Sequence, residues 1–292
     1  MRYTIKNESL FFESDSFNVE PRMLRFVDDD SNYFWYPSDQ KKLGTAVCFP
    51  LLGSLPDNKY RYDGKEYTMG QHGFAQDRDF IVFEKSDSSI TYELVDDERT
   101  YQQYPWHFSF RLTYALEGDS LKTSYLVENR DKKTLFFSVG GHPRYACPIS
   151  REDNFEDYYI EFEKPESTVN IVKSFGPVSE IEKCFHADGK RLDLNYSMFT
   201  KGCFCFHPYN SGFLQIKNNK NSRGLFIDLS GADHLQFWTR PDAPFLAIEP
   251  FYGSISSLPP VAADGDWIHK PGILHTEPGE IFTCAFSVRP LR

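Results

Sequence analysis

What most constrains this chain is an alternation of period two that runs nearly its whole length, with no helical spacing to set against it. Phe108, Phe110, Leu112, Tyr114 and Leu116 alternate with Ser109, Arg111, Thr113, Ala115 and Glu117. Side chains two apart share a face of an extended chain, so this stretch reads as a half-buried strand. Glu117–Ser120 reads as a turn and Leu121–Glu128 as the antiparallel return. Ser89–Val95 alternates in the same way. Between Tyr60 and Tyr67, Asp63-Gly64 supplies the two positive-φ positions of a type I′ hairpin turn. Phe80–Phe83 is a continuous apolar run, expected for a strand covered on both faces. Further strands are expected at Tyr3–Lys6, Leu10–Glu13, Leu24–Asp28, Thr134–Val139, Tyr158–Phe162, Phe213–Lys217, Leu225–Leu229, His234–Trp238, Pro244–Ile248 and Ile281–Val288. No window carries apolar residues at i, i+3, i+4 and i+7 between two caps, so no helix is expected. Many short strands punctuated by turns predict an all-β fold, a large antiparallel sandwich or barrel. No linker or fixed-period repeat divides it, and residues 1–292 are read as one domain.

Composition narrows the function classes. The chain is 40% hydrophobic and 25% charged, which suits a folded soluble protein. Its formal net charge is −10, so no basic face is expected and nucleic acid and anionic membrane are poor partners. No apolar run approaches the roughly 18 residues of a membrane span, and Met1–Lys6 has no signal-peptide core. The six cysteines form no C-x-x-C pair and read as small buried hydrophobes in a reducing compartment. A cytoplasmic protein is the expectation. The eight histidines show no metal-ligand spacing, and no metal is expected.

Three stretches carry the chemistry. In Gly140-Gly141-His142-Pro143, two glycines let the chain turn at a strand end and deliver a histidine. The proline behind should keep that strand from continuing in a central ladder. His142 is therefore either a structural turn residue or a catalytic acid or base. In Gly70-Gln71-His72-Gly73, His72 is either bonded to a turn carbonyl or placed for close approach to a ligand. Glu249 ends the apolar run Phe245–Ile248. Burial would raise its pKa toward the useful range of a general base, unless it caps the loop or pairs with Arg240. Trp238, Phe251 and Tyr252 flank it, and offer either core packing or stacking faces for a sugar ring.

In this order and spacing the motifs resemble the aldose 1-epimerase (galactose mutarotase-like) superfamily, and most closely its LacX-like branch. The matching residues are Cys48–Gly53, Tyr60–Tyr67, Gln71-His72-Gly73-Phe74-Ala75, Gly140–Pro143, Phe245–Gly253, Lys270-Pro271-Gly272 and Glu277–Glu280. The resemblance implies a β-supersandwich with the sugar in an open cleft, and a mechanism needing no cofactor. By it, Glu249 takes the proton of the anomeric hydroxyl, His142 protonates the ring oxygen, and His72 hydrogen-bonds the sugar. Gln71, Arg78, Ser54, Trp238 and Phe251 are the expected substrate-binding residues. Ser54 stands where the branch commonly has an arginine, and Gln76 stands where it has another, with Arg78 two residues on. The expected partner is a small-molecule sugar, and the expected state a monomer or homodimer. The expected activity is interconversion of the anomers of a free hexose. The alternatives are a hexose-6-phosphate 1-epimerase and a non-catalytic sugar-binding or sensing protein. Ser254–Gly265 is the loop expected to close the cleft.

Overall fold

Alternating strands each have one apolar face, and such faces are stable only against one another. Two large antiparallel sheets satisfy them here. The computed structural model describes residues 1–36, 46–166, 189–229, 231–240, 243–255 and 265–292, and the backbone alone at 169–172 and 180–182. A nine-stranded sheet runs, in spatial order, Arg191–Asp193, Tyr158–Phe162, Phe213–Asn218, Gly224–Asp228, Ile281–Leu291, Ser120–Asn129, Phe108–Glu117, Ser89–Val95 and Ile81–Lys85. The second sheet has eight strands: β1 (Val47–Cys48), β2 (Val139–Gly141), β3 (Arg144–Ala146), β4 (Val169–Val172), β5 (Glu180–Glu182), β6 (Cys203–Phe206), β7 (His234–Trp238) and β8 (Phe245–Tyr252). Its order is β5-β4-β6-β7-β8-β2-β1, with β3 also paired to β8.

The sheets pack face to face. Phe206 and Phe237 of the eight-stranded sheet lie 5.5 Å and 6.1 Å, ring to ring, from Phe162 of the other. Tyr252 meets Tyr125 in the same layer. Along β8 the residues of one parity, Leu246, Ile248 and Tyr252, enter this core. The other parity, Phe245, Ala247, Glu249 and Phe251, faces away from the nine-stranded sheet. All eight residues of β8 are nonetheless buried, so that outer face is covered too. No helix among the described residues is long and apolar enough to cross a membrane.

Several expectations need correction. Ile81–Lys85 is the last strand of its sheet rather than a covered one, and Ile81 and Phe83 are 61% and 49% exposed. The Arg111 guanidinium lies 3.8 Å over the Phe83 ring and shelters its face. An apolar run says nothing of what lies beside it. A helix, α1 (Glu98–Gln103), does form, started by a capping box between Asp97 and Thr100. At six residues it is too short to show a period. Thr134–Val139 splits in two: Leu135–Phe137 pairs with Leu274–Thr276, and β2 starts afresh at Val139. Pro143 does not end the ladder either. β2 pairs Gly140 with Phe251 and β3 pairs Arg144 with Ala247, in one unbroken register. His142-Pro143 is thus a two-residue interruption, and position 142 falls opposite position 249. The expected end of β8 at Ile248 is likewise wrong, because the strand continues through Glu249 and Pro250 to Tyr252.

Candidate active site

The site lies on the outer face of the eight-stranded sheet, and its centre is fixed by strand pairing. β8 is flanked by β2 and β3 on one side and by β7 on the other. Glu249 pairs with Gln236 of β7 and faces His142 across the interruption. The Gln236 amide donates to Glu249 Oε2 at 3.1 Å, and His142 Nε2 stands 3.2 Å from Oε1. Glu249 is fully buried and the His142 side chain is 11% exposed. The carboxylate pairs with these two residues, so the reading of Glu249 as a partner of Arg240 falls away.

Two glycines make this approach possible. A Cβ on Gly140 would sit 2.5 Å from Phe251 Cδ1 and 2.8 Å from the Pro250 carbonyl oxygen. A Cβ on Gly141 would meet the Tyr125 hydroxyl at 2.7 Å. β2 is therefore closely packed on both of its faces, against Phe251 of its own sheet and Tyr125 of the other, and the His142 backbone N–H that follows donates to the Ala46 carbonyl at 2.9 Å.

His72 arrives on a loop stitched to the segment after β1. Its N–H donates to Gly53 O at 2.8 Å, and its carbonyl accepts from Phe49 N at 3.2 Å. His72 itself is left-handed, with φ 60°, and Gly73 follows at φ 76°. Any side chain at 73 would collide with Phe49 O, which lies 2.2 Å from a built Cβ. The Gln76 amide donates to the carbonyls of Gln71 and Gly73, so this residue ties the loop together. The His72 ring stands 5.6 Å from that of His142, almost perpendicular at 87°.

The electrostatics follow from burial. Loss of solvent pushes the Glu249 carboxyl well above its usual range, against the smaller opposing effect of the Gln236 hydrogen bond. Loss of solvent, then the neighbouring His72 and Arg144, push His142 well below its own. Two such groups 3.2 Å apart hold one proton between them, as carboxylic acid with imidazole or as carboxylate with imidazolium. Burial lowers His72 to about 4, so its ring is neutral. Gly53 N–H donates to its Nδ1 at 3.3 Å, and the Cys48 thiol lies 3.3 Å from the same atom. The ring proton is then on Nε2. The Gln71 side-chain amide lies beside that Nε2 with its nitrogen at 3.3 Å, and exchanging the two amide atoms puts its oxygen there to accept from the ring.

The aromatic residues divide. Trp238 is half-buried, and its ring lies 6.0 Å from that of His142 at 73°. Phe251 is fully buried, and its ring, 6.2 Å from that of His72, packs over Gly140. Tyr252 points into the core. Trp35, not singled out in the sequence, stacks on Phe245 at 4.6 Å and extends the wall that Trp238 begins.

The remaining expected residues are placed less directly. Ser54 is half-buried beside Gly53, and its buried hydroxyl has no hydrogen-bond partner among the described residues. Arg78 makes no described contact with His72, His142 or Glu249. Its guanidinium lies 3.5 Å from the Asp97 carboxylate at the start of α1 and 6.0 Å over the Phe74 ring. A cavity of about 620 Å³ lies between the His72 loop and α1, lined by Gln71, Gln76, Arg78, Arg99 and Gln103. Neither His142 nor Glu249 borders it. Residues 256–264, most of the loop expected to close the cleft, lie outside the described residues. Gln236 and Cys48 are the site residues that sequence reasoning missed. Gln236 shares the parity of Trp238 on one strand, but its bond to Glu249 depends on a strand pairing that no local pattern reveals.

Residues 24–288 match the family described as aldose 1-epimerase. Over 270 residues the chain is 28% identical to the chromosomal protein LacX of Lactococcus lactis subsp. lactis, spanning 88% of this chain and 90% of that relative. Among solved structures it is similar to a galactose mutarotase related enzyme from Lactobacillus acidophilus, with TM-score 0.89 and 28% identity over 99% of this chain and 97% of that one. It is also similar to a galactose mutarotase-like protein from Lactobacillus casei ATCC 334, with TM-score 0.88 and 26% identity over 99% of this chain and all of the other.

Proposed function

Because the chain belongs to the aldose 1-epimerase family, we propose that it interconverts the α and β anomers of a free aldose by acid–base ring opening. The observation that carries this reading is the buried pair of His142 Nε2 and Glu249 Oε1, 3.2 Å apart. In a cyclic hemiacetal the anomeric hydroxyl and the ring oxygen sit on one carbon. Two groups within reach of each other can therefore reach both oxygens at once.

In the forward step Glu249, as carboxylate, takes the proton of the anomeric hydroxyl, and a C1–O double bond forms. The bond from C1 to the ring oxygen breaks, its electron pair goes to that oxygen, and His142, as imidazolium, supplies the proton. Rotation about C1–C2 presents the other face of the aldehyde, and the reverse transfers close the ring. The pair ends with the same single proton it began with, so no net proton is exchanged with solvent. Burial raises the proton affinity of Glu249 and lowers that of His142, so the carboxylic acid with neutral imidazole is the favoured resting form, and one proton transfer gives the carboxylate and imidazolium that react. His72, a neutral ring with its proton on Nε2, exchanges the Gln71 side chain for the sugar's ring oxygen as its acceptor. Gln236 holds the carboxylate in place, and Trp238 offers the apolar sugar face a stacking partner.

A neutral sugar is favoured over a phosphorylated one. Arg144 is paired with Glu20 and Arg78 with Asp97, so two arginines that could clamp a phosphate are already engaged.

The test is polarimetry on freshly dissolved α-D-glucose and α-D-galactose. The wild type should outpace spontaneous mutarotation, and Glu249→Gln and His142→Asn should each lose a factor of about 100 or more in kcat. A wild type that binds sugar yet never exceeds the spontaneous rate, on any aldose or aldose phosphate, refutes catalysis and leaves the sugar-binding reading.

A further inference from the structure

A second buried charge lies beside the pair, outside the chemistry described so far. The turn between the strands Leu10–Asp15 and Pro21–Phe26 has two consecutive non-glycine residues in the left-handed region, Asn18 at φ 58° and Val19 at φ 44°. A β-branched residue rarely adopts that conformation, so the turn is strained and something must hold it. Three bonds do so. The Tyr114 hydroxyl donates to Val19 O at 2.7 Å, Asn18 N donates to Arg78 O at 2.9 Å, and Phe80 N donates to Ser16 O at 2.9 Å.

The strain serves to turn two polar side chains inward. Asn18 and Glu20 are only 3% and 6% exposed. The Arg144 guanidinium donates to Glu20 Oε1, and the Asn18 amide donates to Oε2 at 3.0 Å. The Asn18 side-chain oxygen in turn accepts from Ala46 N at 3.2 Å. The Ala46 carbonyl is the acceptor for His142 N–H. Arg144 follows His142 by two residues and pairs in register with Ala247, two residues before Glu249. Glu20 therefore reaches His142 along two routes, one from each side: through Arg144, and through Asn18 and the Ala46 peptide.

We propose that Glu20 is a positioning residue for His142, and that the strained Asn18–Val19 turn exists to build this clamp around the two-residue interruption between β2 and β3. The proposal rests on His142 being the acid of ring opening. At the interruption the pairing with β8 lapses, and the backbone bond from His142 N to Ala46 O has to hold the ring it presents. A sub-ångström error there is felt, because an acid must meet one oxygen while its partner meets another. The pairing also offsets part of the Arg144 charge next to an imidazole that must become imidazolium during the reaction.

The test compares wild type with Glu20→Gln, Glu20→Asp and Asn18→Gly, which keeps the left-handed backbone while removing the amide. Each is followed by polarimetry and by ¹⁵N resonances of the imidazoles. Glu20→Gln should lower kcat by about tenfold to a hundredfold with KM within about twofold. It should move the His142 ring signals while leaving those of His275 in place, and Glu20→Asp should recover part of both effects. Asn18→Gly should give a smaller loss of the same kind, and it carries both readouts if Glu20→Gln does not fold. A folded variant with wild-type kcat and unmoved His142 signals overturns the clamp, as does a loss confined to KM. If the wild type is inactive on every aldose, the proposed function fails by itself. The clamp then stands or falls on whether the His142 resonances move.

Discussion

His72 is the residue whose environment speaks most directly in a measurement. It is 6% exposed, and burial lowers its pKa from 6.5 to about 4. Between those pH values the unfolded chain binds a proton that the folded chain refuses, so this residue's contribution is complete above pH 6.5 and is lost as pH falls toward 4. His72→Asn suits the left-handed backbone and removes the titration. The stability advantage of wild type over this variant should shrink on going down through that window, by about 3 kcal/mol if it is crossed entirely. Urea unfolding at pH 7 and pH 5 checks it, and an advantage that does not change with pH would mean the ring is solvated. At this scale the sequence was informative where a residue type had few reasons to be present. A histidine between glycines and a carboxylate closing an apolar run both stood out. Gln236, Asn18 and Glu20 did not, because an amide or a carboxylate in a polar stretch acquires meaning only from its neighbours in space.

Among the elements, β2, β3 and β8 make the site. Gly140 is where their fit is tightest, with Phe251 Cδ1 at 2.5 Å and Pro250 O at 2.8 Å from a Cβ built there. One of these is backbone of a central strand, which cannot move aside. Gly140→Ala should therefore cost about 1–3 kcal/mol of stability, and by displacing His142 should lower kcat more than it raises KM. Denaturant titration and polarimetry on one preparation decide it, and an unstrained, fully active variant would show that the close packing is dispensable. The strands themselves were legible, since alternation marks each one. What was not legible was how a strand ends and what lies next to it. Pro143 and Pro250 look like terminators, yet pairing resumes after one and continues through the other. Ile81–Lys85 looks interior and lies at an edge, and α1 is held by its cap rather than by a pattern.

For the whole molecule, the fold class followed from the sequence because period two, sustained with turns between, leaves sheets as the only way to bury an apolar face. The order of strands did not follow. Neighbours in the eight-stranded sheet come from positions as far apart as Val139 and Tyr252, and such pairings carry no local signature. We propose that residues 1–292 form one domain, since a single apolar cluster draws on both sheets. Calorimetry should then give one transition whose van't Hoff and calorimetric enthalpies agree, and two resolved transitions would divide the chain. The unbroken register across His142-Pro143 has a further consequence for how such a protein can change. A ladder counts residues. Inserting or deleting a single one between β2 and β3 would swing everything beyond it to the opposite face, and acid and base would no longer meet. Connecting loops are under no such count. New sugar preferences should therefore arise by lengthening or rewriting loops, while the stretch from Val139 to Ala146 keeps its length.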